Sequence, residues 1–150
     1  MAEPWSFEHS VECPVPVSFA WQFWTTVDNW RLDADVESVE LQGPFAAGSL
    51  GATVSQRSGR VEWRIAAVEG TSAVIEFPAG TAVGRCQWSF TDLGGRTRIR
   101  QRMSVAGEGA ESLGAQIGPM FEANIPAGMR KLCESIAAAS NHVQRPAKDI

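Results

Sequence analysis

His9 is the side chain in this sequence best placed to do chemistry. It lies between Phe7 and Val11, on the apolar side of a segment that alternates apolar and polar residues. A neutral imidazole held there could serve as a general base toward a carbonyl compound. The same position also suits a core histidine bonded to a backbone or side-chain partner. Two amides join it. Gln101 alternates with Ile99 and Met103, and Asn124 lies one helical turn from Met120 and Phe121. An inward amide is costly without a partner. Each therefore either orients a ligand carbonyl or hydroxyl or satisfies a structural neighbour.

Other constellations are missing. No Ser/His/Asp or Cys/His set, no carboxylate pair and no phosphate-binding loop can be assembled. Histidine occurs only at positions 9 and 142, and there is no CxxC, so neither a metal nor another cofactor is expected. Cys13, Cys86 and Cys133 are odd in number and scattered, which favours three buried reduced thiols over a disulfide. Arg98, Arg100 and Arg102 alternate on one strand face and resemble a basic stripe. Arg57 and Arg85 are the arginines whose place in the alternation allows an inward direction.

These residues need elements to hold them. Trp5 to Cys13 has period two and reads as a strand, ended by Pro14 and Pro16. A short helix follows to about Thr26. It is apolar over much of its circumference (Val17, Phe19, Trp21, Phe23, Trp24) and must be covered on more than one side. A second short helical turn, Val27 to Leu32, carries Trp30. From Val36 to Val105 strands succeed one another, with hairpin signals at Ser58-Gly59, Gly70-Thr71-Ser72 and Gly94-Gly95.

Glu111 to His142 reads as one long helix. Ile117, Met120, Phe121, Gly128, Met129, Leu132 and Ile136 form its stripe. Pro126 removes the bond to the Glu122 carbonyl, so a bend is expected there. The order predicts an α+β domain: a curved antiparallel sheet of about six to seven strands wrapped on a long C-terminal helix, with two short helices after the first strand. One domain spans residues 1–150, with a core of about 5–140 and a polar tail, 141–150.

Six Trp and seven Phe, with no Tyr, are a generous aromatic supply for such a container. Trp63, Phe77, Trp88 and Phe90 are expected on the concave side, opposite Met120 and Phe121 of the helix. These six, with Gln101 and Asn124, are the candidate ligand-binding residues. A formal charge of −4 argues against a nucleic-acid partner. No apolar run of about 18 residues is present, so no membrane insertion is expected. Met1 to Ser10 lacks the apolar core of a signal peptide, which makes the cytoplasm the expected location. A monomer or a homodimer fits equally.

The order of local patterns resembles the START-like helix-grip (SRPBCC) superfamily, and within it the polyketide cyclase/dehydrase family. Val11-Glu12-Cys13-Pro14 followed by Phe19-Ala20-Trp21 is similar to its first strand turning into its first helix. Asp28-Asn29-Trp30, then Val39 to Pro44, then Gly48 and Gly51, is similar to the entry into its second strand. Gly95 to Ile99 resembles its last hairpin, and Gly128 to Leu132 its closing helix. The resemblance implies a hydrophobic small molecule, such as a lipid or polyketide, held between sheet and helix. It also implies a second possibility, cyclase/dehydrase-like chemistry on a carbonyl substrate. If the first and last strands pair as the resemblance implies, Glu8 and Glu12 share the outer face with the arginine stripe. Cross-strand ion pairs then account for that stripe.

Overall fold

A computed structural model of the protein describes residues 5–32 and 35–144. Strand β1 runs Trp5–Cys13 and helix α1 Val17–Thr25, followed by a 3-10 helix, Val27–Leu32. Six strands follow: β2 Val36–Gln42, β3 Leu50–Ser55, β4 Gly59–Glu69, β5 Ser72–Ala79, β6 Ala82–Asp92 and β7 Thr97–Gly107. Helix α2, Ala110–Gln144, closes the chain. All seven strands form one antiparallel curved sheet in the order β1-β7-β6-β5-β4-β3-β2. α2 takes in the first residues of the expected tail, and residues 145–150 lie outside the described residues.

Alternation decides which side chains face inward. Register carries each inward row across the sheet: His9, Gln101, Trp88 and Ala73 form one, and Phe7, Met103, Cys86, Ile75 and Ile65 another. The opposite face is polar. Arg98 and Arg96 pair with Glu12, and Arg100 donates to Glu8 at 2.6 Å. Arg98 and Arg100 of the arginine stripe are thus engaged in exposed cross-strand ion pairs. Arg85 belongs to the same outer face, 3.8 Å from Glu76. Arg57 is exposed in the β3–β4 turn. Neither arginine turns inward. Polar residues on the edge strand β2, Glu37, Ser38 and Glu40, are exposed and oppose edge-to-edge pairing.

α2 rests chiefly on β1 and β7. Its buried side is Gly114, Gly118, Ile125, Met129 and Ile136, with Phe121 and Leu132 half-buried beside it. The spacing of three or four keeps these residues on one face. Met120 stands one step off it and is 39% exposed, which corrects its expected inward position. At the N-terminal end the helix comes close because two glycines face Trp5. A Cβ on Gly114 or Gly118 would lie 2.5 Å from that side chain. The Trp5 indole then donates to Glu122 Oε2 at 3.1 Å.

Farther along, Cys133 is joined to Cys13, with Cα atoms 5.5 Å apart, and Cys86 stays free. This corrects the expectation of three reduced thiols. The pairing follows from α2 running alongside β1. Eight strand steps of about 3.3 Å match some seventeen helical steps of about 1.5 Å, so contact at Trp5 brings Cys13 and Cys133 together. α2 remains one helix through Pro119 and Pro126, with Ile125 and Met129 buried on either side of Pro126.

Candidate functional site

Helix and sheet do not fill the space between them. A cavity of about 670 Å³ remains, within the usual size range of small-molecule sites. Its floor comes from alternate residues of β3 to β7: Thr53, Trp63, Ile75, Phe77, Cys86 and Trp88, with Gln101 and Met103. The roof is one side of α2: Phe121, Asn124, Ile125, Gly128, Met129 and Leu132. The far wall is α1 and the 3-10 helix, through Phe23, Trp24, Asn29 and Trp30. Leu32, Ser58 and Lys131 are the exposed members of the lining. The opening therefore lies between the 3-10 helix, the β3–β4 turn and α2.

Tryptophan dominates one wall. Trp88 contacts Trp24 at 5.0 Å between ring centroids, Trp24 contacts Trp30 at 5.8 Å, and Trp30 contacts Trp63 at 5.2 Å. Two indoles are pinned: Trp30 Nε1 donates to the Trp24 carbonyl at 2.8 Å, and Trp63 Nε1 donates to Thr53 Oγ1 at 2.9 Å. Offset and tilted rings packed this way form a stiff apolar surface.

The polar groups of the interior are neutral. Gln101 is 8% exposed, and its Nε2 donates to Cys86 Sγ at 3.7 Å. Cys86 in turn lies 3.3 Å from Met103 Sδ. Burial pushes the Cys86 thiol up to about 12, with the Gln101 hydrogen bond opposing the shift. It is a thiol, not a thiolate nucleophile, at any physiological pH. Asn124 lines the cavity half-buried and has no protein hydrogen-bond partner among the described residues. Among the described residues, Asp35 and Lys131 are the charged members of the lining. Asp35 begins the approach to β2 and accepts the Arg57 backbone N–H at 3.2 Å, and Lys131 is on the exposed side of α2.

Of the candidate binding residues, Trp63, Phe77, Trp88, Gln101, Phe121 and Asn124 meet around this cavity. Phe90 and Met120 do not. Phe90 is on the concave side as expected, but α1 roofs it, with Trp21 at 5.4 Å and Trp24 at 5.5 Å. His9 faces inward beside Gln101 in the β1–β7 register, yet β1 lies under α2 and His9 is not part of the lining. Trp24 and Trp30 were not among the candidates. The all-round apolarity of α1 was the signal that could have found Trp24. Among the described residues no cluster of His, Cys, Asp and Glu could hold a metal ion. No helix there is long and apolar enough to cross a membrane.

Comparison with known proteins agrees with this architecture. Norcoclaurine synthase from Thalictrum flavum, solved with dopamine and hydroxybenzaldehyde, superposes with a TM-score of 0.71 at 10% identity, covering 95% of this chain and 89% of that one. The ZhuI aromatase/cyclase from Streptomyces sp. R1128 gives 0.72 at 14% identity, covering 88% and 93%. TTHA0849 from Thermus thermophilus gives 0.68 at 17% identity, covering 90% and 99%. At such identities the likeness is one of fold. No curated protein matches the sequence. The sequence pattern described as "Polyketide cyclase / dehydrase and lipid transport" matches residues 4–140, nearly the whole chain. With its ligand-binding helix-grip fold, the chain belongs to that family.

Proposed function

We propose that this protein binds an uncharged, ring-bearing hydrophobic small molecule in the cavity between sheet and α2. One observation carries the reading: some 670 Å³ of space is walled by aromatic and aliphatic side chains with a few neutral polar groups, and among the described residues its charged members are Asp35 and Lys131. A charged ligand pushed inward would lose its hydration with no counter-charge to replace it. A flat, neutral ring system would instead gain contact with the tryptophan wall. Asn124 and Gln101 supply hydrogen bonds for a carbonyl or hydroxyl. The negative net charge fits a small-molecule partner better than a nucleic acid. Native mass spectrometry of the purified protein tests this. A bound neutral mass that is released on denaturation is expected. A chain that carries nothing and also fails to bind neutral aromatic ketones defeats the reading.

A second reading, cyclase/dehydrase-like proton transfer on a carbonyl substrate, draws on one observation. His9 sits directly opposite Gln101 across the β1–β7 pair, one strand from a cavity amide. His9 does not line the cavity, so in that reading it removes the proton α to a carbonyl held by Gln101 or Asn124 through one intervening water, and a proton returns to the same carbon by that route. Deuterium exchange at C2 of 1-tetralone in D2O, followed by NMR, tests it. Protein-accelerated exchange that His9→Gln abolishes supports an enzyme. Exchange at the buffer rate leaves a binding protein.

A further inference from the structure

Two of the rings on the cavity floor do not stand up from the sheet. Trp63 on β4 is opposite Gly51 of β3, and Phe77 on β5 is opposite Gly84 of β6. Both glycines are buried. A Cβ built on Gly51 would lie 2.3 Å from Trp63 Cη2, and one on Gly84 would lie 2.2 Å from Phe77 Cζ. Neither distance is possible for a real side chain. Each ring therefore lies flat across the neighbouring strand, in the notch left by an absent side chain. The Trp63 ring is fastened in that attitude by its hydrogen bond to Thr53 Oγ1, two residues along the same face of β3. Phe77 has no such tie and depends on the notch alone.

A ring lying flat takes up only its own thickness of cavity height, about the 3.5–4.0 Å of carbon–carbon contact. The same ring upright takes up its full width. We infer that Gly51 and Gly84 are the specificity-determining residues of this site, setting the size of ring system it admits by keeping Trp63 and Phe77 down. A methyl at either position turns a floor ring into a plug, because α2 and the tryptophan wall leave the cavity as the space the ring can swing into. This inference rests on the proposed ligand class and adds to it a size limit built into the sheet.

The test uses displacement of the neutral fluorophore N-phenyl-1-naphthylamine by 1-tetralone, anthrone and 5,12-naphthacenequinone, ketones of two, three and four fused rings. Gly51→Ala and Gly84→Ala should each weaken the four-ring ketone at least tenfold while leaving 1-tetralone within about twofold of the wild type. Gly51→Ala/Trp63→Leu and Gly84→Ala/Phe77→Leu keep the methyl and remove the ring, and should restore four-ring binding. A readout without ligand accompanies them: in Gly51→Ala the Trp63 indole N–H resonance should shift and exchange faster as its bond to Thr53 is lost. Equal affinity for all three ketones in wild type and Gly→Ala variants, or a loss that trimming the ring does not reverse, overturns the inference while the ligand class stands. A wild type that binds none of the three removes the ligand class and the inference with it.

Discussion

Glycine beneath an aromatic ring occurs in two regions of this protein, with opposite results. Where α2 crosses β1, Gly114 and Gly118 let a helix descend onto Trp5, and the space between helix and sheet is filled. Across β3 to β6, Gly51 and Gly84 let rings sink into the sheet, and space is left open. The contact is alike in both: a Cβ would sit at well under an ordinary van der Waals distance. What differs is which partner moves. A helix that drops removes volume, whereas a ring that lies down on its own sheet preserves it. A protein that must be both stable and hollow can place the two arrangements at different points of one concave surface. The Cys13–Cys133 link lies at the other end of the same helix–strand contact, eight residues along β1 from Trp5, and fixes α2 to the sheet there.

The largest way to break this contrast is to remove the link. Cys133→Ser opens a connection between residues 120 apart in sequence. Chain-entropy arguments put such a loss at about 2–4 kcal/mol for typical native disulfides. Urea unfolding should show it in oxidised protein, and the wild type should fall to the variant's stability on adding reductant. Equal stability with and without reductant would mean that the pair contributes nothing as a covalent link.

A sharper test compares glycines within α2. Alanine is ordinarily about 1 kcal/mol better than glycine in a helix interior. At Gly128, where a Cβ meets nothing within 4 Å, Gly128→Ala should stabilise by about that amount. At Gly114 and Gly118 the sign should invert. Overpacking against Trp5 costs roughly 1–3 kcal/mol and outweighs the propensity gain. Chemical denaturation of the three single variants measures this. Stabilisation by all three would show that α2 floats over Trp5 and that the filled region is not tightly filled.

The open region has its own probe. Cys86 is on the cavity floor with its thiol pushed up to about 12 by burial. The folded protein should react with N-ethylmaleimide at pH 8 far more slowly than the unfolded chain, whose thiol titrates near its ordinary value. Because the folded state favours the neutral thiol, the contribution to stability is fully present below the unfolded value of 9.0 and declines above it. Native labelling at the unfolded rate would place Cys86 in water and contradict an enclosed, low-dielectric floor.

Much of this was readable from periodicity, and the failures share a cause. Alternation located β1 at Trp5–Cys13 and turned Trp63, Phe77, Trp88 and Gln101 inward, because strand direction is a local property. It could not say what roofs an inward residue. Phe90 looks like its neighbour Trp88 in sequence, and only the position of α1 separates a packed core ring from a cavity ring. Met120 failed at the edge of a helical stripe, where one residue is a step of about 100°. The Cys13–Cys133 pair left no trace in spacing. Gly114 and Gly118 passed unnoticed because hydrophobic patterns treat glycine as punctuation. Their i, i+4 spacing, with a tryptophan in the first strand, was the available signal, but its meaning depends on which strand the helix covers.

The smallest predicted effect concerns the outer face, a control for both regions because it touches neither. Glu8 accepts a hydrogen bond from Arg100, which holds its carboxyl below the ordinary value of 4.5; desolvation opposes the shift, and the charges of Arg100 and Arg102 add to it. The folded state favours the carboxylate. Its contribution is therefore complete above the unfolded value near 4.5 and disappears as pH falls through the depressed folded value. Such an exposed pair is screened by water and salt, so the stability at stake is slight. The titration itself is still measurable. Carboxyl-carbon NMR should place Glu8 below an unperturbed glutamate, and Arg100→Gln should return it most of the way. Ring-ketone binding and the sign pattern of the α2 glycines should not change in that variant. A shift in either would mean that the sheet transmits strain from its charged face to its hollow one, and that the two regions are not independent parts of the design.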